Sequence, residues 1–499
     1  MFGTFTHPRV LILGLGESGQ SMARWCLRHG ATLRWADTRL HPPGLDTVRR
    51  EFPAAELVLG ELQSSYLDSI DIIGLSPGLS PYLEPVKSFI DQARERGLAV
   101  WSEIEFFAQA LVSLKQTQSY APRCVGITGT NGKTTVTALC AFLAERSGLK
   151  AQAAGNISPA ALDALGAAWD AQALPDFWAL ELSSFQLETT YSLSLDAAVI
   201  LNLSEDHLDW HPSMEQYAQA KARIYLNTRT RIANRDDLVT LSLATAGTDQ
   251  TPVTFGLSAP EQAGDWGLVQ ENGLNWMVLA EGDQEAPVKK KRSTKAAVTD
   301  EEPARLKHLM PADALKLMGE HNVANALAAL ALVTQAGVPL SKALYALRDF
   351  RGLPHRVEWV RQIRGVDYIE DSKGTNVGAT VAALQGLKRR VVLIAGGEGK
   401  GQDFSPLLAP VDRYAQAVIL IGRDAPSLQA ALAESAVPLE TASSLEQAVQ
   451  RAADLAQVGD AVLLSPACAS FDMFRNYEHR AEVFVQAVQN LALEQGEVT

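Results

Sequence analysis

The chain has 499 residues, 47% of them apolar and 20% charged, which at about 100–200 residues per domain suggests about three domains with cores of their own. Acidic side chains outnumber basic ones by 57 to 44, a formal charge of −13, so the chain lacks the electrostatic footprint of a general nucleic-acid binder. Cys26, Cys124, Cys140 and Cys468 form no CxxC pair, which argues against a disulfide scaffold or a zinc site, and no apolar window reaches the length of a membrane span; the expected address is the cytoplasm.

Strand-like apolar runs alternate with amphipathic helical stretches, the pattern of parallel sheets flanked by helices. The first block runs to about Gln118 and closes on a polar stretch, Lys115 to Ser119, read as a linker. It opens on a strand, a GxGxxG turn (Gly14, Gly16, Gly19) and a helix start, with Asp37 at the end of the next strand-like run. This turn fits a dinucleotide, another nucleotide, or only tight packing of helix on strand. Ser76-Pro77-Gly78 is a second phosphate-compatible loop.

The second block starts with the strand Cys124–Thr128 and runs to about Arg348. Gly126-Ile-Thr-Gly129-Thr130-Asn131-Gly132-Lys133-Thr134-Thr135 follows that strand and precedes a helical stretch. Consecutive backbone N–H groups can curl around phosphate there, Lys133 can reach the β/γ-phosphates and Thr134 can hold Mg2+. The spacing departs from GxxxxGK[ST], with Ile127 where the pattern needs glycine. Glu181 ends an apolar run and is a candidate Mg2+ ligand. The strand Ala197–Leu201 leads into Asn202-Leu-Ser-Glu-Asp-His207-Leu-Asp-Trp-His211, and Lys221 lies in a helical stretch from Met214 to Leu226. The segment 281–304 has clustered charge and no periodicity, and reads as a solvated surface loop. The third block begins near Gly352 and carries the strand-like runs Arg390–Ala395, Ala417–Ile421 and Asp460–Leu464.

Together these segments resemble the Mur ligase and folylpolyglutamate synthetase superfamily. The resemblance rests on GTNGKTT, ELSSFQLE, NLSEDHLDWH with Lys221 behind it, GEHNVANALAALAL, GLPHR and DSKGTN, and spans nearly the whole chain outside 281–304. The text of 371–376 and 465–474 is similar to the D-glutamate-adding branch. The resemblance implies an α/β chain of three domains: a Rossmann-like UDP-substrate domain over 1–118, a central P-loop ATPase over 119–350, and a Rossmann-like amino-acid-binding domain over 351–499. It implies ATP and Mg2+, in two ions, as cofactors, and UDP-N-acetylmuramoyl-L-alanine and D-glutamate as substrates joined through an acyl phosphate. No nucleic-acid or membrane partner is expected, and the expected state is a monomer.

Site residues are implied in the same way. Leu15, Glu17, Ser18, Asp37, Thr38, Arg39, Ser76, Gly78, Asn156, Ser183 and His207 match UDP-substrate positions. Gly129 to Thr135, Asn322, Asn325, Arg356 and Asp371 match ATP positions. Thr134, Glu181, His207 and Lys221 match the metal region, with Lys221 implied to be carbamylated. Lys373, Thr375, Ser470 and Tyr477 match D-glutamate positions, and Lys133, His207 and Lys221 are the expected catalytic groups. Two rivals remain at this point: an NAD-dependent oxidoreductase, from the first turn and Asp37, and a nucleotide-binding regulator without catalysis.

Overall fold

The computed structural model describes residues 1–42, 44–282 and 305–497. The expected surface loop 281–304, apart from Glu281 and Gly282, lies outside the described residues. Among the described residues the strands form sheets of five, nine and six strands. The chain divides into two compact units: Met1–Ala312 with Ala326–Arg348, and Asp313–Asn325 with Asp349–Thr499. The first unit holds the five- and nine-stranded sheets, the second the six-stranded one.

In the five-stranded sheet the spatial order is Glu56–Leu59, Thr32–Asp37, Arg9–Leu13, Ile72–Leu75, Ala99–Trp101, all parallel. Strands covered by helices on both faces need apolar side chains on both, so they read as unbroken apolar runs. Val10 and Ile12 enter one core with Trp25, while Leu11 and Leu13 enter another with Ile73 and Phe89. Winding reverses between Arg9–Leu13 and Ile72–Leu75. At such a switch point ligands bind beyond the carboxyl ends of the strands. Those ends continue into Gly14–Gly16 and Ser76–Gly78.

The first core extends beyond this sheet, taking in Leu162, Trp178 and Leu180 of the next layer. Between the two sheets the chain is helical up to Gln118 and irregular only over 119–122. Glu103–Gln118 is one helix of 16 residues, capped by the Ser102 hydroxyl, which accepts from the Glu105 N–H. The polar stretch expected to be a linker is its exposed last turn, ended by Ser119 at φ 56°. Polarity marked solvent exposure there, not loss of helix. Glu103 is buried, and its carboxylate accepts the Leu162 N–H at 2.6 Å.

The nine-stranded sheet places Arg123–Thr128 between Leu195–Ile200 and Phe177–Glu181, all parallel, with Ala151–Gly155 at one edge. Its far edge is antiparallel, and there Glu281 pairs with Arg305 in register. The six-stranded sheet runs Glu358–Ile363, Val366–Glu370, Ala461–Leu464, Val391–Gly396, Ala415–Ile421, Leu439–Thr441, parallel after the first pair. Val391 and Leu393 face one core, Val392 and Ile394 the other.

Candidate active site

The glycine turn of the five-stranded sheet contains two kinds of glycine. A Cβ on Gly14 would stand 2.7 Å from the Ser76 side chain, and one on Gly19 would stand 2.2 Å from the Gly14 carbonyl oxygen. Packing alone demands those two. A Cβ on Gly16 or Gly78 would meet nothing within 4 Å, so at these positions the backbone is open to approach from outside the chain. Gly16 is the N-cap of Glu17–Arg28, with no side-chain cap, so the helix's first N–H groups are available to an anion.

Asp37 organises this turn from beneath. Its buried carboxylate accepts the N–H of Leu15 (3.2 Å), the N–H of Arg39 (3.0 Å) and both arms of the Arg39 guanidinium (2.8 and 2.9 Å). Burial pushes its pKa up, but these bonds outweigh burial and hold it below the ordinary carboxylate value. Both oxygens are engaged by the chain itself, which removes the acid that the dinucleotide reading required for a ribose. Glu17 is exposed, and Ser18 and Thr38 are half-buried.

At the end of the nine-stranded sheet, Arg123–Thr128 passes through Gly129 (φ 148°) and Gly132 (φ 84°) into the helix Lys133–Arg146. The segment after Leu195–Ile200 braces this loop. Asn202 accepts from Asn131 N–H through its side chain (2.8 Å) and from Thr130 N–H through its carbonyl (3.0 Å), while its amide donates to Asn131 O (3.1 Å). The Thr130 hydroxyl donates to Ser204 O (3.1 Å) and lies 3.1 Å from the Tyr217 hydroxyl. Lys133 Nζ donates to the carbonyls of Gly129 (2.9 Å) and Thr130 (2.8 Å). Thr134 is half-buried and Thr135 buried in the first helical turn.

Lys221 reaches the same place. It is 2% exposed, its ammonium donates to Gly129 O at 2.9 Å, and it sits 4.6 Å from the Tyr217 ring centroid. Two lysines thus share one carbonyl oxygen. Burial, then the Lys133 charge, push the Lys221 pKa well below its ordinary value, against the attraction of Asp206 and Glu181. Glu181 is buried at the end of its strand; one oxygen accepts from Asn156 Nδ2 (2.9 Å) and the other has no protein partner. Asn156 N–H also donates to Glu181 O (2.8 Å). The Ser183 hydroxyl is taken up in a capping box with Gln186. His207 is 46% exposed in its side chain, at φ 56°, against Phe185 (4.8 Å between ring centroids) and 3.5 Å from Asp206. Partial burial, opposed by Asp206 and reinforced by Lys133 and Lys221, lowers its pKa. Its imidazole is therefore biased towards the neutral form that can donate a lone pair.

These groups fit a divalent cation. A buried carboxylate oxygen without a partner is costly unless something positive meets it, and Glu181 supplies that oxygen beside the phosphate-type loop. Among the described residues another group of possible ligands, His355, Glu358 and Glu370, has its ligand atoms within 4.8 Å of one another. Its atoms are engaged: His355 Nδ1 pairs with Glu370 at 2.7 Å, and Glu358 accepts the His355 N–H at 2.9 Å.

The remaining expected residues belong to the second unit. Asn322 and Asn325 are buried one turn apart, Asn325 Nδ2 donating to Asn322 Oδ1 (3.0 Å) and Asn322 Nδ2 to Met318 O (2.7 Å). Asp371 follows the strand Val366–Glu370; it accepts from the Ser465 hydroxyl (2.7 Å) and Val357 N–H (3.2 Å), and burial pushes its pKa to about 7 despite the Ser465 bond and the Arg356 charge. Lys373 Nζ lies 3.7 Å over the Tyr477 ring. Thr375 N–H donates to Lys373 O (2.8 Å), and Ser470 is buried. A residue the motifs did not mark joins these loops. Arg480 is fully buried and donates to the Ser372 hydroxyl (2.9 Å), Ser372 O (2.8 Å) and Cys468 O (3.1 Å). Asn202, Tyr217 and Ser465 were also missed as supports. Of these, Asn202 and Ser465 stood inside quoted segments with no role attached, and Tyr217 stood in none.

Comparison with known proteins places this geometry. Residues 8–102 match the Mur ligase MurD-like N-terminal domain, 127–333 the Mur ligase middle domain, and 355–468 the Mur ligase glutamate ligase domain. The protein named UDP-N-acetylmuramoylalanine--D-glutamate ligase of Ralstonia nicotianae is 56% identical over 498 residues, 99% of each chain. The one of the same name from Cupriavidus pinatubonensis is 56% identical over 502, again 99% of each. Among solved structures, UDP-N-acetylmuramate-alanine ligase MurC of Thermotoga maritima shares the fold at TM-score 0.54 and 18% identity, over 97% of this chain and 100% of that one. MurF ligase of the same organism, in complex with ADP, does so at 0.56 and 16%, over 98% and 97%. With three matched domains and relatives more than half identical along its whole length, the chain belongs to the Mur ligase family.

Proposed function

We propose that the protein joins D-glutamate to UDP-N-acetylmuramoyl-L-alanine, using ATP and Mg2+, in the building of peptidoglycan precursors. The observation that carries this reading is the full-length identity to ligases of that name, together with a braced phosphate loop and a buried, partnerless Glu181 oxygen beside it. In this reading 1–118 takes the UDP-substrate, 119–350 ATP, and 351–499 the amino acid; the protein works as a monomer in the cytoplasm. No described helix is long and apolar enough to cross a membrane.

A carboxylate resists attack by an amine at neutral pH. Phosphorylation by ATP turns the alanyl carboxylate into an acyl phosphate; the D-glutamate amine then attacks and phosphate leaves. The protein's part is positioning and charge stabilisation. The N–H groups of 129–135 hold the phosphates, and Lys133 leaves the Gly129 and Thr130 carbonyls to spread the charge of the transferring group. Thr134, Glu181, His207 and Lys221 would hold Mg2+, enough donors for two ions, which when bound would neutralise phosphate charge. A lysine whose ammonium is disfavoured by burial and by Lys133 has a neutral amine that can take up CO2, and the carbamate turns a repelled cation into a hard oxygen ligand. Gly16 and Gly78 let the UDP pyrophosphate approach the backbone, and Lys373 pairs with a D-glutamate carboxylate beside Ser470.

Phosphate release should need UDP-N-acetylmuramoyl-L-alanine and D-glutamate together. Equal release with L-alanine or a diamino acid, and none with D-glutamate, would refute the assignment. Lys373→Ala should raise the KM for D-glutamate ~30-fold, the loss of about 2 kcal/mol for a charged contact in a closed site, and leave that for ATP nearly unchanged.

A further inference from the structure

The turn that carries His207 is tied to the loop Ser76–Ser80 by a residue the chemistry above does not use. His207 adopts a left-handed backbone, φ 56°, which side chains with a Cβ seldom occupy without support. Its carbonyl accepts two N–H groups, from Trp210 (3.0 Å) and His211 (2.9 Å), and these close the turn. Leu208 and Asp209 are exposed, whereas Trp210 and His211 are buried. His211 is anchored to Ser184 Oγ at 2.9 Å.

Trp210 reaches in the other direction. Its indole N–H donates to Pro77 O at 2.9 Å, and its own carbonyl accepts the Ser80 hydroxyl at 2.7 Å. A tryptophan buried only for its area needs one partner for its N–H. This one makes two bonds to one short loop, through its side chain and through its backbone. The ring is held for that purpose: it stacks on Phe185 with centroids 4.5 Å apart and planes at 26°, and meets the Tyr82 ring edge-on at 5.9 Å. Phe185 in turn contacts the His207 imidazole. The loop between Pro77 and Ser80 contains Gly78, where, as at Gly16, the backbone is open.

We infer that Trp210 is a positioning residue that fixes the His207 imidazole relative to the Ser76–Gly78 loop, so that the pyrophosphate end and the carboxylate end of one long substrate are held in register. The inference rests on the reading that this loop takes the UDP-substrate and that His207 serves the metal. A substrate gripped at both ends reports any slip between the grips at its reacting carboxylate. The tether acts on geometry, not on substrate contact, so its loss should appear in metal binding and in turnover but not in the affinity for ATP.

Two variants cut the tether from opposite sides. Trp210→Phe removes the indole donor and keeps a ring against Phe185; Ser80→Ala removes the hydroxyl from the loop of the five-stranded sheet. Mn2+ binding is read by electron paramagnetic resonance with ADP present and no turnover, and steady-state constants are read alongside. Both variants should weaken Mn2+ binding and lower kcat about fivefold or more, as expected of a small misplacement of a reacting group, with the KM for ATP within about twofold. Unchanged Mn2+ affinity and kcat in both would overturn the inference, as would a loss confined to Trp210→Phe, which would assign the residue to packing. Absence of D-glutamate-dependent turnover in the unaltered enzyme would instead refute the proposed reaction, and the Mn2+ measurement would still decide whether Ser80 and Trp210 govern the His207 turn.

Discussion

The ends of the nine- and six-stranded sheets both bury charge, but they treat it in opposite ways. Beyond the nine-stranded sheet, Glu181 keeps one oxygen without a protein partner, and Lys221 is buried where Lys133 repels it. Beyond the six-stranded sheet, Asp371 has both oxygens hydrogen-bonded and Arg480 has all three of its nitrogens bonded. A buried group left uncompensated lowers stability and is retained where something from outside completes it; a fully bonded one makes a rigid shelf. On the proposed reading the first end receives phosphate and cation, while the second holds loops 371–376 and 465–470 in place.

The contrast can be broken by mutation. Arg480→Met should cost about 4 kcal/mol in urea denaturation, because the Ser372 and Cys468 carbonyls lose their donors inside the protein. Glu181→Gln should cost little or even stabilise, since it removes an uncompensated charge. Equal losses for the two would end the comparison.

Lys221→Ala should lower kcat about 100-fold or more, the scale for removing a group that stabilises charge in the transition state. Millimolar-to-molar formate or acetate should restore part of the activity by lending the missing carboxylate. A structure of the metal-loaded enzyme should show a planar three-atom group beyond Nζ, and a bare ammonium without rescue would exclude the carbamate.

Protonation sharpens the comparison further, because each unit buries an acid of raised pKa. Burial pushes Glu103 to about 7 from 4.5, against its bond from Leu162, and Asp371 to about 7 from 3.8. Between the unfolded and folded values the folded chain binds more protons, so stability is fully present below the unfolded pKa and is lost as pH rises through about 7. Glu103→Gln keeps the acceptor for Leu162 N–H and cannot ionise. It should be more stable than the unaltered protein at pH 8, by about 2–3 kcal/mol, and equal to it near pH 4.5. The pH slope that survives in the variant's denaturation curves includes the share of Asp371, alongside Glu370 and Asp265, which burial also raises.

The smallest effect is expected at the antiparallel edge of the nine-stranded sheet. Glu281 and Arg305 pair in register, so their backbones are neighbours that a few residues can join. Replacing 283–304 by a short Gly/Ser linker should leave kcat within a factor of a few, since loop length changes closure cost only slowly. A collapse of activity would show that the replaced residues serve the site.

The chain alone determined what lies in consecutive residues. The glycine turn from Gly129 into the helix Lys133–Arg146 was legible as text because its residues are consecutive, and parallel strands buried on both faces announced themselves as apolar runs. The α/β class followed from those runs, and the resemblance of DSKGTN to a known family marked Lys373. Tertiary structure decided whatever depends on residues far apart in the chain. No motif marked Glu103 before the fold set it against Leu162, and Asp37 supported a dinucleotide reading until Leu15 and Arg39 took its oxygens. Tyr217 and Arg480 carry no motif and Trp210 stood in NLSEDHLDWH without a role, because a single side chain bonded to a distant loop leaves no spacing to read. Their roles arise only where the fold brings that loop within 3 Å or so of the side chain.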